Sequence, residues 1–394
     1  MSEAGLEKKY IEEAFDSNWV APLGPNVAGF EKDLEAFCGQ NKRVLALNAG
    51  TAAVHLALLA CGVGPGDEVC VQSFTFCATS HPITYLGATP VFVDSEEETW
   101  NMDPDLLEKA IQDRIARTGR KPKAVVPVAL FGMPYRIDRI LEIADRYGIP
   151  VVEDVAEGFG SRFNGQVLGT FGKYGVLSFN GNKMITTSGG GALITPGEEE
   201  WREAMMYATQ YHRADYPYYQ HEKTGYNYRM SNICAGIGRG QMSVADEHVR
   251  HHKHVQGLYE RMLGEVPGIR VHSQPSSGGF DSNYWLCTIT LAPGLRVEGQ
   301  ENAYKSGPAA DECRPNDNVE ALRLFLDEAG IEARPVWKPM HKQPVYASAP
   351  AYVNGVSEAV FKTGLCLPAG PCVKDDDVAY IVETIKNALG RRGA

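Results

Sequence analysis

The sequence contains no long apolar run and no surplus of basic residues. No stretch reaches the roughly 20 consecutive apolar residues that a membrane-spanning helix needs, and the polar, charged start of the chain does not resemble a signal peptide. The net charge is −11, which argues against the broad basic surface that nucleic-acid binding requires. A few local donors would still suffice to bind a small anion. We therefore expect a cytoplasmic protein that binds neither membranes nor nucleic acid.

Metal-binding motifs are also missing. The nine cysteines are scattered and none forms a C-x-x-C pair, so we predict no zinc site and expect small buried thiols in a reducing compartment. The run from Arg250 to His254 contains three histidines, but it lies in a polar helical stretch without a carboxylate nearby. That context predicts a solvated helix face rather than a metal site.

The composition is that of an ordinary globular protein. The chain has 394 residues, of which 44% are hydrophobic and 22% charged, so apolar material for a large core is not short. This length predicts two domains or one large one. A long helix, expected from Ser231 past Arg250, would lead from the first domain into the second, which places the predicted domains at residues 1–245 and 246–394.

Short apolar runs alternate with amphipathic segments through the first two-thirds of the chain. Strands separated by helices of this length indicate parallel βαβ units. The pattern therefore predicts an α/β large domain with a mostly parallel sheet, followed by a smaller α+β domain. The predicted strands of the large domain are residues 43–47, 68–72, 89–93, 124–128, 151–153, 175–179 and 192–195.

A lysine and an aspartate at a short separation suggest the chemistry. Lys183 lies in a turn rich in small residues, and Asp154 ends an apolar run 29 residues earlier. A lysine amine can hold pyridoxal phosphate as a Schiff base and then move protons, and an acid can keep the pyridine nitrogen protonated. Taken singly, the lysine would more often be a solvated surface residue and the aspartate a helix cap.

Three further positions fit a phosphorylated aromatic ligand. Gly50 and Thr51 follow a strand and open a helix, where backbone N–H groups and the helix dipole suit a phosphate. Ser178, five residues before Lys183, offers another hydroxyl. Phe76, after the next strand, can stack on a ring. A plain strand-to-helix turn, a polar strand end and a core phenylalanine are the alternatives.

These segments resemble the sugar aminotransferases of the DegT/DnrJ/EryC1/StrS family, and the resemblance covers nearly the whole chain. It implies an aspartate-aminotransferase-like fold, known as fold type I of the pyridoxal phosphate enzymes, with pyridoxal 5′-phosphate held by Lys183. The matching motifs are NAGTAA (48–53), SFTF (73–76), EDVAEG (153–158), LGTFG (168–172), SFNGNKMITTSGGG (178–191), GYNYRMSN (225–232) and GLCLP (364–368).

The resemblance extends to individual cofactor residues. It implies that Gly50, Thr51 and Ser178 bind the phosphate, and it selects Phe76 over Phe74 as the stacking residue. Glu157 departs from the Gln or His of many relatives, and because an ionised glutamate cannot donate to a phenolate, its role stays open. Asn227 matches a residue that reaches the partner's phosphate in a homodimer with shared sites; a turn-forming asparagine is the alternative.

The segment at residues 332–341 is dense in donors and aromatics. Arg334 suits a diphosphate through paired hydrogen bonds, and Lys338 and His341 add donors to a surface that suits a nucleotide base. Asn18 and Trp19 resemble family residues that line the substrate mouth. We therefore expect these five residues to bind substrate.

The closest resemblance is to enzymes that aminate C4 of a UDP-linked 4-keto-6-deoxy-N-acetylhexosamine, with L-glutamate as the donor. A dTDP- or GDP-linked ketosugar is the alternative within the family. A sugar dehydratase of the same fold would carry histidine in place of Lys183. A protein of another class, which binds pyridoxal phosphate or sugar for regulation without turnover, is the remaining alternative.

Overall fold

The alternating strands and helices form an α/β architecture in a computed structural model that describes residues 5–211, 216–304 and 313–390. The helices are α1 Leu6–Asp16, α2 Pro25–Cys38, α3 Gly50–Ala60, α4 His81–Tyr85, α5 Pro104–Thr118, α6 Ile137–Tyr147, α7 Glu198–Ala208, α8 Asn232–Met242, α9 Ala245–Leu263, α10 Asp317–Glu328, α11 Val356–Thr363 and α12 Asp375–Ala388. The strands are β1 Arg43–Leu47, β2 Glu68–Gln72, β3 Thr89–Val93, β4 Ala124–Val126, β5 Val152–Asp154, β6 Arg162–Phe163, β7 Gln166–Val167, β8 Tyr174–Ser178, β9 Gly191–Thr195, β10 Ile269–Val271, β11 Phe280–Asp281, β12 Cys287–Leu291, β13 Arg334–Pro335, β14 Ala351–Tyr352 and β15 Gly364–Leu367.

The central sheet has the strand order β1-β9-β8-β5-β4-β2-β3-β14. Two four-stranded ladders make up this sheet, and two parallel bridges, Val125 to Val151 and Val128 to Asp154, connect them. All ladder pairings are parallel except those of β9, which is antiparallel to β1 and to β8. The prediction of a mostly parallel α/β sheet is therefore confirmed.

The sheet is buried on both faces, as its continuous apolar strands require. Helix α3 is the clearest example, because residues 52–58 are all buried and the helix packs against β8 and β9. The loops that follow β1, β2, β5 and β8 meet at one edge of the sheet. In open α/β sheets, ligands bind at the carboxyl ends of the strands, and the edge where these loops converge is the place to look for a site.

A separate apolar core lies in the C-terminal part of the chain. Its buried members run from Val255 to Ala388 and include residues of the antiparallel sheet β10-β12-β15-β13 and of helices α9, α10 and α12. The residues around Val336 and Phe361 instead join the core of the large sheet. The predicted division near residue 245 stays a proposal.

The long helix predicted from Ser231 past Arg250 is wrong, because the chain forms two helices there. Helix α8 ends at Met242 and α9 begins at Ala245. The Ser243 hydroxyl donates a hydrogen bond to the carbonyl oxygen of Gly240 at 2.6 Å. This bond satisfies a carbonyl group in the last turn of α8, and the chain turns there.

The solvated face predicted for the histidine-rich run is also wrong in part. His252 is buried, and its Nδ1 lies 3.1 Å from the carbonyl oxygen of Tyr284. The buried positions of α9 recur at helical spacing, so His252 belongs to the packed stripe. Among the described helices, none combines the length and the apolar character that crossing a bilayer requires.

Candidate active site

A cavity of about 340 Å³ opens where the loops after β1, β2, β5 and β8 converge. Its lining comes from segments that are far apart in the sequence, including two tryptophans of the C-terminal half. Seven of the residues predicted from the sequence lie on its walls: Gly50, Thr51, Phe76, Asp154, Glu157, Ser178 and Lys183. The fold therefore brings most of the predicted cofactor residues into one place.

Asp154 ends strand β5 and is buried. Its Oδ2 accepts a hydrogen bond from the Thr79 hydroxyl at 2.7 Å, and its Oδ1 accepts the backbone N–H of Ala156 at 3.1 Å. Burial raises the pKa of Asp154, while these hydrogen bonds and the charge of Lys183 oppose the rise. The carboxylate is thus held in one orientation and lacks a directly bonded cation, so it suits a cationic ring nitrogen.

Lys183 lies in the turn that follows β8, with 13% of its side chain exposed. Its Nζ is 4.0 Å from the centre of the Trp285 ring and 3.8 Å from Oε1 of Glu157. Trp285 in turn donates its indole N–H to the carbonyl oxygen of Asn182 at 2.7 Å, which secures the turn. Burial lowers the pKa of Lys183, and the charges of Glu157 and Asp154 oppose this effect. An amine with a lowered pKa is a better nucleophile and base near neutral pH.

The start of α3 forms a cradle for an anion. Ala49 caps the helix in an extended conformation, and Gly50 is its first residue, so the first N–H groups have no partner within the helix. A Cβ atom at Gly50 would lie 3.0 Å from Cβ of Ser178. Glycine therefore allows the helix end and the Ser178 hydroxyl to approach each other, as a shared phosphate requires.

Phe76 covers part of the cavity with an exposed aromatic ring. It is 54% exposed, whereas Phe74 is completely buried in the core. The Phe76 ring meets the ring of Trp337 edge to face at 6.1 Å. Strand-end carboxylate, lysine, anion cradle and aromatic wall together fit pyridoxal phosphate: Asp154 would hold the ring nitrogen, the Gly50–Ser178 cradle the phosphate, and Lys183 the reactive carbon.

Glu157 is buried beside Lys183. Its Oε2 accepts the backbone N–H of Phe131 at 2.7 Å, and its Oε1 accepts the indole N–H of Trp337 at 3.2 Å. Burial raises the pKa of Glu157, and the charge of Lys183 is the largest opposing influence.

The predicted substrate residues lie outside the cavity wall. Asn18 and Trp19 follow α1 at the surface, and the carbonyl oxygen of Trp19 accepts a hydrogen bond from the side chain of Asn232. Arg334 has a side chain that is 72% exposed and pairs with Glu332. In this structure the Arg334 guanidinium is paired with Glu332. The contact of Arg334 with a diphosphate therefore remains a prediction.

Lys338 and His341 follow Trp337. Lys338 lines a second depression of about 400 Å³, which shares Thr75, Phe76 and Trp337 with the main cavity. Nδ1 of His341 lies 2.7 Å from the Ser73 hydroxyl and connects this segment to the loop after β2. Of these two residues, Lys338 is the one that lines the second depression.

Asn227 also lies outside the cavity, on a shallow surface depression. Its backbone oxygen accepts a hydrogen bond from the side chain of Asn48, which itself lines the cavity. Asn227 is therefore connected to the rim of its own site, and its predicted reach toward a partner's phosphate remains a prediction.

Two tryptophans and one threonine of the site were not among the residues predicted from the sequence. Trp285 and Trp337 flank the Lys183–Glu157 pair, and Thr79 orients Asp154. Trp337 falls within the aromatic segment at residues 332–341, which carried a signal for it. No local pattern marks Thr79 or Trp285, because both reach the site only through long-range packing.

Comparisons with known proteins agree with this geometry. The sequence model of the DegT/DnrJ/EryC1/StrS aminotransferase family matches residues 2–386 of this chain. EpsN of Bacillus subtilis (strain 168), provisionally named a pyridoxal phosphate-dependent aminotransferase, is 43% identical over 97% of this chain and 92% of its own. GDP-perosamine synthase of Escherichia coli O157:H7 is 34% identical over 98% of this chain and 96% of its own. The crystal structure of a DegT DnrJ EryC1 StrS aminotransferase from Brucella abortus matches with a TM-score of 0.85 at 28% identity, over 98% of this chain and 96% of that one. Solved relatives include a form with pyridoxal phosphate.

Proposed function

Since this chain belongs to the DegT/DnrJ/EryC1/StrS aminotransferase family, we propose that it moves an amino group from L-glutamate to C4 of a UDP-linked 4-keto-6-deoxy-N-acetylhexosamine. Its cofactor is pyridoxal phosphate, and its class is that of the nucleotide-sugar aminotransferases. The observation that carries the reaction type is the cavity in which Lys183, Asp154 and the Gly50–Ser178 cradle meet. A lysine at this position argues against the dehydratase alternative.

Different residues of the site have different roles in this reaction. When bound, pyridoxal phosphate would supply a carrier for the amino group and an electron sink for the reacting carbon. Lys183, whose pKa is lowered by burial, moves the proton at that carbon. Asp154 would supply a negative charge to the ring nitrogen, and the first turn of α3 would hold the phosphate. The two products leave separately, which gives ping-pong kinetics.

The second depression supports a substrate with a large remote group. It lies directly beside the main cavity across Phe76 and Trp337, and it combines apolar walls with the polar side chains of Lys338, His81 and Gln343. A nucleotide bound there would supply binding energy far from the reacting carbon and hold the sugar ketone over the cofactor. We also propose a cytoplasmic location, which the nine free thiols support.

We predict that a panel of 4-keto sugars linked to UDP, GDP and dTDP will show a preference for the UDP-linked N-acetyl sugar. The likeness of the motif at 178–191 and of residues 334–341 supports this choice. The measurement is kcat/KM for each sugar with L-glutamate as donor, followed through the release of 2-oxoglutarate. NMR of the product identifies the sugar carbon that carries the new amino group. Removing the nucleotide should lower kcat as well as affinity, because remote binding energy is lost.

A GDP-linked ketosugar is the second candidate, because a relative that is 34% identical is named GDP-perosamine synthase. A tenfold or greater preference for the GDP substrate corresponds to about 1.4 kcal/mol of transition-state binding. Such a preference would overturn the UDP assignment and leave the aminotransferase assignment intact.

We further propose a homodimer in which Asn227 of one subunit completes the phosphate site of the other. Co-expression of Lys183→Ala and Asn227→Ala chains with different tags should then restore activity. Each mixed dimer contains one intact site of two, so random pairing gives about a quarter of wild-type activity. Light scattering checks the assembly. Restoration that fails although mixed dimers are isolated, or an active monomer, would contradict the shared site.

A further inference from the structure

Among its described lining residues, the cavity holds two carboxylates and one amine. The two acids are Asp154 and Glu157, both buried, and the amine is Lys183. Two buried carboxylates beside one cavity repel each other, so a single cation cannot keep both of them ionised at low cost. One of the two acids is therefore the natural place for a proton once the charge of Lys183 is lost.

The hydrogen bonds differ between the two acids. Asp154 accepts one hydrogen bond from the Thr79 hydroxyl and one from a backbone N–H, and it is placed for a cationic ring nitrogen. Glu157 accepts N–H groups from Phe131 and Trp337, and the cation that faces it is Lys183, 3.8 Å from its Oε1. When Lys183 becomes neutral, Glu157 loses the charge that offsets its burial, whereas Asp154 retains a partner in the bound ring.

We propose that Glu157 is the proton partner of Lys183 and takes up the proton that Lys183 must release before its amine can bond to the cofactor. The Nζ–H bond breaks and an Oε1–H bond forms, so an ion pair becomes a neutral amine beside a neutral carboxyl group. No electrons are transferred and no further reactant is needed. This role rests on the proposed function, in which Lys183 is the cofactor lysine.

The surroundings of Glu157 favour this exchange. Burial raises the pKa of Glu157 and lowers that of Lys183, so both groups shift toward their neutral forms. The other titratable groups that face Glu157 are Asp154 and the thiol of Cys366, on strand β15. Burial raises the pKa of Cys366, so the thiol stays neutral and does not compete for the proton.

The test is the pH dependence of Lys183 reactivity in the full-length, cofactor-free protein. Competitive labelling with acetic anhydride from about pH 6 to about pH 10 brackets the titration of a perturbed lysine. Peptide mass spectrometry reads the labelling of Lys183. Removing the negative charge with Glu157→Gln should lower the midpoint by about one pH unit or more, the size of shift that a neighbouring opposite charge produces.

Two control variants separate charge from shape. Glu157→Asp keeps the carboxylate and should keep the midpoint near the wild-type value. Trp337→Phe removes the indole donor but not the charge, and should also leave the midpoint unchanged. Equal midpoints in wild type and Glu157→Gln, or an equal shift in Trp337→Phe, would overturn the proposal.

A second measurement uses the tryptophans beside the pair. Because Trp337 donates to Glu157, the fluorescence of the cofactor-free protein should change as Glu157 titrates, and Glu157→Gln should abolish that transition. Borohydride reduction of the holoenzyme with peptide mapping checks the premise independently. Cofactor attached to a lysine other than Lys183 would overturn the proposed function itself, whatever the labelling midpoint shows.

Discussion

Lys183→Ala is expected to lose turnover by about 10⁴-fold or more, because one side chain both anchors the cofactor and moves the proton. The side chain is largely enclosed, with Trp285 on one side and Glu157 on the other. A water molecule in the space left by alanine could neither bond to the cofactor nor replace the amine as a base. The variant should still bind pyridoxal phosphate, since the start of α3, Ser178 and Asp154 remain in place.

The measurement combines the steady-state rate with borohydride reduction. Reduction should fix the cofactor to the Lys183 peptide in the wild type and to no peptide in the variant. Lys173→Ala is a matched control, because Lys173 lies over the ring of Tyr174 and away from the cavity lining. A wild-type rate in Lys183→Ala would remove this residue from the mechanism.

Asp154→Ala is expected to slow the reaction roughly a hundredfold, a barrier increase of about 3 kcal/mol. The carboxylate is buried and oriented by Thr79, so its charge acts on the ring nitrogen with little screening from solvent. Loss of that charge makes the ring a poorer acceptor of electrons and weakens retention of the cofactor.

Asp154→Asn separates the charge from the shape of this side chain. Its amide oxygen can still accept a hydrogen bond from the Thr79 hydroxyl, but the negative charge is gone. We expect a defect close to that of the alanine variant, measured as kcat with saturating cofactor and as the cofactor dissociation constant. A rate near that of the wild type in Asp154→Asn would show that the hydrogen-bonded shape, not the charge, matters.

Local patterns were sufficient to predict several strands of the large domain. Strands β1, β2 and β3 coincide with the predicted runs because each is a short apolar segment between breakers. The order of the strands and the antiparallel direction of β9 did not follow from these patterns. Strand order depends on which surfaces pack together, which a local pattern does not encode.

The break between α8 and α9 and the burial of His252 show the same limit. Helical periodicity continues through the break, but the chain turns at Ser243 and Val244, where hydrogen bonds to Gly240 and Gln241 close the turn. His252 is a polar residue in a polar stretch, but the packing of α9 and the carbonyl of Tyr284 give it a buried place. In both cases a tertiary contact prevails over a local preference.

The sequence by itself determined the α/β class, and it predicted that Lys183, Asp154 and a helix start at Gly50 belong to one site. Each of these follows from residue types at short separations, where strand ends and helix starts place side chains predictably. Only the tertiary structure decided that Trp285 and Trp337 enclose Lys183, that Thr79 orients Asp154, and that Glu157 shares the buried site. Those contacts join segments up to 180 residues apart, and the free energy that brings such segments together comes from burial of the whole core rather than from any local run of residues.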